Sequence, residues 1–183
     1  MAEVIVLMGV SGCGKTTIGQ ALAERLGVPF YDADDFHSSE NVAKMKSGMP
    51  LNDEDRQPWL IHLASQMKQW SKSDGAVLAC SALKQKYRQT LAAADRSKTC
   101  FIYLKADSSV VAQRLNKRED HFMDAGLLTS QFEALEHDTT DMWIDANKSK
   151  ELIVQDIMKN IEASCIGLIG LGVMGSSLAR NMA

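Results

Sequence analysis

The sequence predicts an α/β fold in which helices cover both faces of a parallel sheet, the doubly wound arrangement. Short apolar stretches rich in β-branched residues, such as VIVLMGV at residues 4–10, are typical of strands buried on both faces. About five such stretches alternate with segments of helical periodicity, which favours crossover connections between parallel strands. A chain of 183 residues, 45% of them hydrophobic, is long enough for one domain with a buried core.

The first half of the chain contains two predicted strands and two predicted helices. After the strand at 4–10, a helix begins near Lys15, because apolar residues recur on one face up to a Gly that ends it. The stretch VPFYDAD at 28–34 predicts the second strand, and a long helix is predicted at 55–71. The apolar stripe of that long helix consists of Trp59, Leu63, Met67 and Trp70.

The second half contains three further predicted strands and the helices that separate and follow them. The stretches GAVLACS, KTCFIYLKA and DMWIDA are apolar and resemble buried strands. They lie at residues 75–81, 98–106 and 141–146. Helical periodicity predicts helices at 83–94, 108–118, 129–135 and 149–163.

Composition and charge restrict the expected partners and location. A net charge of −3 gives no overall basic field, so nucleic acid is not expected as a partner. No apolar run approaches ~18 residues, and the first residues lack a basic segment and a cleavage site, so neither a membrane span nor a signal peptide is expected. The four cysteines show no metal-ligand or disulfide spacing. Together these features predict a cytoplasmic protein.

The stretch GVSGCGKT between the first strand and the first helix satisfies the pattern G-x-x-x-x-G-K-[ST]. Its glycines let the backbone wrap a phosphate, and the helix that follows adds the positive end of its dipole. Lys15 is expected to reach the β- and γ-phosphates of ATP, and the Thr16 hydroxyl to ligate Mg²⁺. The alternative is a chance match on a Gly-rich turn. The predicted nucleotide-binding residues are Gly9, Val10, Ser11, Gly12, Cys13, Gly14, Lys15, Thr16 and Thr17.

The stretch DADDFH ends the second predicted strand, at the crevice where open α/β sheets bind ligands. Asp34 is the candidate to accept the proton of an acceptor hydroxyl or to orient that hydroxyl toward the γ-phosphate. Asp32 is the candidate ligand of Mg²⁺ or of its waters. His37 could hydrogen-bond a polyol, although a lone loop histidine is more often a surface residue. Asp35 suits a solvated turn.

Basic residues near the same crevice are candidates for binding an anionic acceptor. Arg56 could pair with a carboxylate, and an ion pair with Asp53 or Asp55 is an equally good interpretation. CSALKQKYR, which follows the third strand, contributes three candidates. Two of them are four positions apart and would share one face of a helix. That face could also be exposed to solvent without binding a ligand. These three are Ser81, Lys84 and Arg88.

Two later stretches suggest a lid and a base-binding loop. RLNKREDHFM at 114–123 is a charged segment of the kind that closes over transferring phosphate in small phosphotransferases, and Arg118 is the candidate that stabilises the phosphate. IDANKSK at 144–150 could pack on the adenine ring.

These stretches, in this order and spacing, resemble the gluconokinases, P-loop kinases related in fold to shikimate and adenylate kinases. The resemblance covers about residues 1–164 and is carried by LMGVSGCGKTT, DADDFH, NVAKMKSGMPLNDEDRQPWL, CSALKQKYR, FIYLK and HFMDAGLLTSQFEALE. It implies ATP-dependent phosphorylation of the 6-hydroxyl of D-gluconate, with Mg²⁺, in a P-loop NTPase fold with a lid, and a chain that could form a homodimer. Asp34 would orient the acceptor and Arg56 would bind its carboxylate. The implied acceptor-site residues are Asp34, His37, Arg56, Ser81, Lys84, Arg88, Arg118 and His121.

The last residues contain a second Gly-rich motif, G-x-G-x-x-G at Gly170, Gly172 and Gly175. GLIGLGVMGSSLARNMA resembles the start of 6-phosphogluconate dehydrogenases, but the ribose-binding acidic residue would lie about 20 positions further on. We therefore expect a kinase domain at 1–165 and an incomplete dinucleotide-binding fragment at 166–183, as in a truncated fusion of the two enzymes. An accidental Gly-rich extension, a kinase for another small hydroxy acid and a nucleotide sensor without turnover are the alternatives.

Overall fold

Five parallel strands form one sheet in the part of the chain that the structure describes. The structure, a computed structural model, describes residues 3–93, 95–116, 125–136 and 142–169. The sheet order is β2-β3-β1-β4-β5, and each neighbouring pair runs parallel, which confirms the predicted fold class. The strands are β1 Val4–Met8, β2 Phe30–Asp32, β3 Ala76–Ala79, β4 Thr99–Lys105 and β5 Met142–Asp145.

Helices connect the strands and cover both faces of the sheet. Two 3₁₀ turns, Ala33–Phe36 and Arg96–Lys98, accompany the helices. Within the described ranges, no helix has the length and apolar character needed to cross a membrane. The α-helices of these ranges are α1 Lys15–Leu26, α2 Ser39–Lys46, α3 Asp53–Trp70, α4 Gln85–Ala92, α5 Ser108–Asn116, α6 Ala125–Glu133 and α7 Lys150–Ile169.

The core has two parts, because successive strand residues point to opposite faces of the sheet. Leu7 and Ile102 are fully buried on the face covered by α1, α5 and α7. Val6 and Leu78 are fully buried on the face covered by α3 and α4. Burial on both faces explains why the central strands are apolar along their whole length rather than alternating.

Helix α2 is not predicted by the hydrophobic pattern. Its eight residues lack an apolar stripe, and Asn41 is the one buried member. Local polar contacts define its start instead: the Ser38 hydroxyl accepts a hydrogen bond from the N–H of Asn41, at 3.2 Å. Such a helix is difficult to recognise from periodicity alone, since it buries almost nothing.

Several predicted helix boundaries are wrong, and helix α6 begins at Ala125 rather than at residue 129. Helix α4 begins at Gln85 rather than at residue 83, and Lys84 precedes it in extended backbone. Helix α7 continues beyond residue 163 to Ile169, so the proposed boundary between residues 165 and 166 falls inside a helix. The Gly-rich motif at Gly170–Gly175 lies outside the described residues, and the interpretation of 166–183 as a separate fragment stays a prediction.

Gly75 gives a stability test with an internal control. It precedes β3 with φ +82°, and a Cβ there would lie 2.5 Å from the carbonyl oxygen of Glu3. Gly48 has a similar φ of +80° but no heavy atom within 4 Å of the same position. A left-handed backbone costs other residues about 1–2 kcal/mol, which Gly48→Ala measures alone.

We expect Gly75→Ala to lower the free energy of unfolding by at least ~1 kcal/mol more than Gly48→Ala does, because it adds a backbone clash to the same strain. Urea denaturation of the two variants and the unmodified chain measures the difference. Equal losses would show that the segment around Glu3 moves aside without cost.

Candidate active site

The loop between β1 and α1 has the backbone conformation of a phosphate-binding loop. Gly9, Gly12 and Gly14 have φ values of +141°, +80° and +108°, which side chains disfavour. Gly12 also lies against α5, where a Cβ would approach the Leu115 Cγ to 2.9 Å. The loop ends at the N-terminus of α1, whose first N–H groups and dipole attract anions.

Lys15 lies across the mouth of this loop. Its Nζ donates to the carbonyl oxygens of Gly9 and Val10, at 3.0 Å each. The ammonium group is therefore held among the loop residues that would surround a phosphate. Cys13 is completely buried in the turn, as expected of a small packing residue, and Thr17 lies on the exposed side of α1.

The two predicted metal-binding residues are in contact. The Thr16 hydroxyl donates to Oδ2 of Asp32, at 2.8 Å, and Oδ1 of Asp32 accepts from the N–H of Asp34. A hydroxyl and a carboxylate are the hard oxygen ligands that Mg²⁺ prefers. The described part of the chain contains no group of three or more His, Cys, Asp or Glu side chains that could hold a metal by itself. A magnesium site here would thus be completed by nucleotide phosphates and water.

Asp34 faces the open cleft beside the phosphate loop, with 89% of its side chain exposed. The surrounding protein reduces the hydration of its carboxylate and raises its pKa, and the neighbouring Asp32 raises it further. His37 and Lys15 act in the opposite direction. A carboxylate with a raised pKa is a better proton acceptor than an ordinary aspartate.

His37 is not the surface residue that a loop position suggested. Its side chain is 5% exposed, and its ring stacks on Trp59 with centroids 4.3 Å apart. The Trp59 Nε1–H donates to the carbonyl oxygen of Ala33, so the ring against which His37 stacks is itself fixed. Burial lowers the pKa of His37, and its Nε2 lies 3.9 Å from Oδ1 of Asp34. A mainly neutral imidazole thus stands beside the candidate base.

Arg56 forms no ion pair with either acidic neighbour, which excludes that alternative. Its Nε and Nη2 donate to the carbonyl oxygen of Leu51, at 3.3 and 3.2 Å. Its guanidinium lies 5.9 Å from the ring centroid of Tyr87. Among the described residues, no carboxylate lies within ion-pair distance of Arg56. The guanidinium therefore keeps donors for an acidic ligand.

The acidic neighbours of Arg56 are engaged elsewhere. Asp55 pairs with Lys44 and closes a capping box with Asn52 at the start of α3. Asp53 accepts from Lys86, Tyr87 and Lys84, and these contacts hold its pKa well below the usual range. Burial and the hydrogen bond to Asp53 raise the pKa of Tyr87 to about 12.

The residues predicted after β3 have different environments. The Ser81 carbonyl oxygen accepts from the N–H of Gly9, at 3.2 Å, so this loop touches the phosphate loop. Lys84 lies before α4 and pairs with Asp53. Arg88 is buried, and its Nη1 donates to the carbonyls of Ala82 and Leu83. The interpretation of Lys84 and Arg88 as one solvated helical face is therefore wrong.

Two residues of this region were missed by sequence reasoning. Arg114 donates to the carbonyl oxygens of Cys13 and Ala146, at 3.1 and 2.8 Å, and so joins the phosphate loop to IDANKSK. Gln131 contacts Ser11. Both stand in stretches already noted, RLNKREDHFM and HFMDAGLLTSQFEALE, but nothing local predicts a contact with a loop about a hundred residues earlier. Arg118 and His121 lie outside the described residues.

A phosphate-binding loop beside a carboxylate and a buried histidine, at the carboxyl edge of a parallel sheet, defines a P-loop kinase. Comparisons with known proteins agree. A family model described as shikimate kinase matches residues 11–162. A probable gluconokinase of Dictyostelium discoideum is 42% identical over 172 residues, covering 87% of this chain and 86% of that protein. A gluconokinase of Arabidopsis thaliana is 41% identical over 177 residues, covering 88% and 94%.

A solved structure agrees as well. The crystal structure of a gluconokinase from Sinorhizobium meliloti is 34% identical and matches with a TM-score of 0.84, covering 93% of this chain and 98% of that one. The chain belongs to the gluconokinase family, within the shikimate kinase group of P-loop kinases. The resemblance stated from its motifs is thereby confirmed.

The raised pKa of Asp34 predicts opposite effects on activity and stability for Asp34→Asn. The folded chain holds a proton on this group more tightly than the unfolded chain does. Because solvent screens a side chain that is 89% exposed, the ionised carboxylate weakens the fold only slightly at neutral pH, and this weakening is relieved as pH falls below the folded pKa. Asparagine removes the charge, so we expect turnover to fall about 10²- to 10⁴-fold while Tm at pH 7 is unchanged or higher.

In the pH–rate profile of the unmodified enzyme, the apparent pKa of the acidic limb of kcat/KM should be higher than the ordinary aspartate pKa of about 3.9. Asp35→Asn is the matched control, because Asp35 is an exposed neighbour on the same turn. Thermal melts and a pH–rate profile measure both effects. Substantial turnover in Asp34→Asn with an unchanged acidic limb would remove Asp34 from the chemistry.

Proposed function

We propose that this chain transfers the γ-phosphoryl group of ATP to the 6-hydroxyl of D-gluconate, giving 6-phosphogluconate and ADP. Gluconokinases at about 40% identity over most of the chain support the proposal. One geometric observation carries it: Asp32 accepts from the Thr16 hydroxyl and from the N–H of Asp34, and the Nε2 of His37 lies 3.9 Å from Oδ1 of Asp34. The candidate base is therefore connected to the phosphate loop on one side and adjoins a histidine on the other.

The donor side binds and orients ATP. The N–H groups at the start of α1 and the Lys15 ammonium would neutralise the phosphates as charge develops during transfer. Thr16 and Asp32 would hold Mg²⁺, which, when bound, supplies further neutralisation of the phosphate oxygens. The loop IDANKSK, joined to the phosphate loop by Arg114, would pack against adenine.

The acceptor side places a hydroxyl in line with the phosphate. Asp34 would accept the proton of the 6-hydroxyl or orient it, and the neutral His37 would hydrogen-bond another hydroxyl. Arg56 would bind the carboxylate at the other end of gluconate, since its guanidinium has no acidic partner among the described residues. The acceptor side would be completed by Ser81, Lys84 and Arg88. Lys84 contacts Asp53, and Arg88 holds the loop that follows β3.

The lid assignment is also part of the proposal. Arg118 would stabilise the transferring phosphate, and His121 would contact the acceptor. Arg114 and Gln131, which precede and follow this segment in the sequence, both touch the phosphate loop, and this is the observation behind the assignment. A cytoplasmic location, a homodimeric state and the fusion origin of residues 166–183 stay predictions.

A coupled ADP-release assay with a panel of acceptors tests the function. Gluconate is expected to be the preferred acceptor, ahead of shikimate, other small hydroxy acids and neutral polyols. Lys15→Ala is the catalytic control and should lower kcat by orders of magnitude without unfolding the chain. Preference for another acid would correct the substrate. Binding of ATP and gluconate without ADP release would identify a sensor instead of an enzyme.

Arg56→Ala tests the acceptor geometry. We expect the KM for gluconate to rise at least tenfold, because the carboxylate loses a charged donor pair, while the KM for ATP changes less than twofold. Arg25→Ala is the matched control, since Arg25 is exposed at the end of α1. Equal increases in both KM values would place Arg56 outside the acceptor site.

A further inference from the structure

The side chain of Gln131, on α6, forms two hydrogen bonds with Ser11 at the apex of the phosphate loop. Its Oε1 accepts from the N–H of Ser11 at 2.7 Å, and its Nε2 donates to the Ser11 hydroxyl at 3.2 Å. Both residues are half-buried, and 120 positions of sequence separate them. The carboxamide thus satisfies a backbone donor and a side-chain acceptor of the same loop residue.

These contacts fix the loop where its conformation matters for catalysis. Lys15 holds the carbonyls of Gly9 and Val10 from inside the loop, and Gln131 holds the next residue, Ser11, from outside. Ser11 lies between Gly9 and Gly12, which both have positive φ. Loss of the Gln131 carboxamide would remove the acceptor that the Ser11 N–H bonds in this structure.

The helix that carries Gln131 is also fixed to the acceptor side of the cleft. Just beyond the end of α6, the N–H of Glu136 donates to the carbonyl oxygen of Leu83, at 2.8 Å. The Glu136 carboxylate accepts from the N–H of Gln85, at the start of α4, at 2.7 Å. Helix α6 therefore spans from the phosphate loop to the loop that follows β3, and connects the two halves of the site.

We propose that Gln131 is a positioning residue for phosphoryl transfer, which holds the Ser11 amide in place and keeps the phosphate loop aligned with the acceptor loop. The proposal rests on the proposed function for its kinetic part. It predicts that loss of the carboxamide affects the transfer step more than acceptor binding. It also predicts that a negative charge at this position lowers the affinity for the nucleotide phosphates, because the carboxamide directly contacts the loop that binds them.

Gln131→Ala and Gln131→Glu test this in the full chain, with Glu133→Ala as control on an exposed position of the same helix. Gln131→Ala is expected to lower kcat about 10- to 100-fold while the KM for gluconate changes less than twofold. Gln131→Glu keeps an acceptor for the Ser11 N–H, so its kcat should exceed that of Gln131→Ala. Its negative charge should raise the KM for ATP at least fivefold. Glu133→Ala should behave like the unmodified enzyme.

Calorimetric titration with ADP and with a non-hydrolysable ATP analogue separates this proposal from the proposed function. Gln131→Glu should weaken binding of the ATP analogue more than that of ADP, whichever acceptor the enzyme uses. If Gln131→Ala does not fold, Gln131→Glu decides alone, because it preserves size and the Ser11 contact. A Gln131→Ala enzyme with kcat within twofold of normal would overturn the proposal. Unchanged nucleotide affinity in Gln131→Glu would overturn it too.

Discussion

The parallel pairing of β1 with β3, continued by two backbone hydrogen bonds past the end of β3, determines where the whole site lies. Leu7 pairs with Ala79 in the ladder, and the N–H of Gly9 then donates to the carbonyl oxygen of Ser81. Because both strands run in the same direction, the chain leaves them at the same edge of the sheet. The phosphate loop and the loop after β3 are therefore adjacent before any ligand binds. Asp32, at the end of β2, joins them through the same arrangement.

Within this cleft, the acidic side chains differ in how strongly their charges are compensated. Asp53 and Asp55, at the start of α3, are held by lysines, and their pKa values are lowered. Among the described residues, no lysine lies within ion-pair distance of Asp34, and reduced hydration raises its pKa. The first two carboxylates maintain structure and leave the Arg56 guanidinium available, whereas the third is suited to accept a proton. This division follows from position, since all three residues are of one chemical type.

The sequence predicts those parts of the molecule that depend on neighbouring residues. The phosphate loop is a contiguous motif, and the central strands β1 and β3 are recognisable because burial on both faces makes them apolar throughout. The pattern also indicates Asp32 and Thr16 as partners, which the structure brings together at 2.8 Å. Helix α2 is missed because it buries a single residue. The partners of Arg114 and Gln131 are missed because they depend on the path of the chain between distant elements, which no local pattern encodes.

The long-range contacts have a common location, and it explains why they matter. Arg114 and Gln131 each bind a residue of the phosphate loop, and Glu136 binds the loop that follows β3. Transfer of a phosphoryl group to a hydroxyl rather than to water requires both ligands in place and water excluded. Helix α6 and the residues just after it contact both loops, so the loop that binds the donor and the loop beside the acceptor are held in one arrangement.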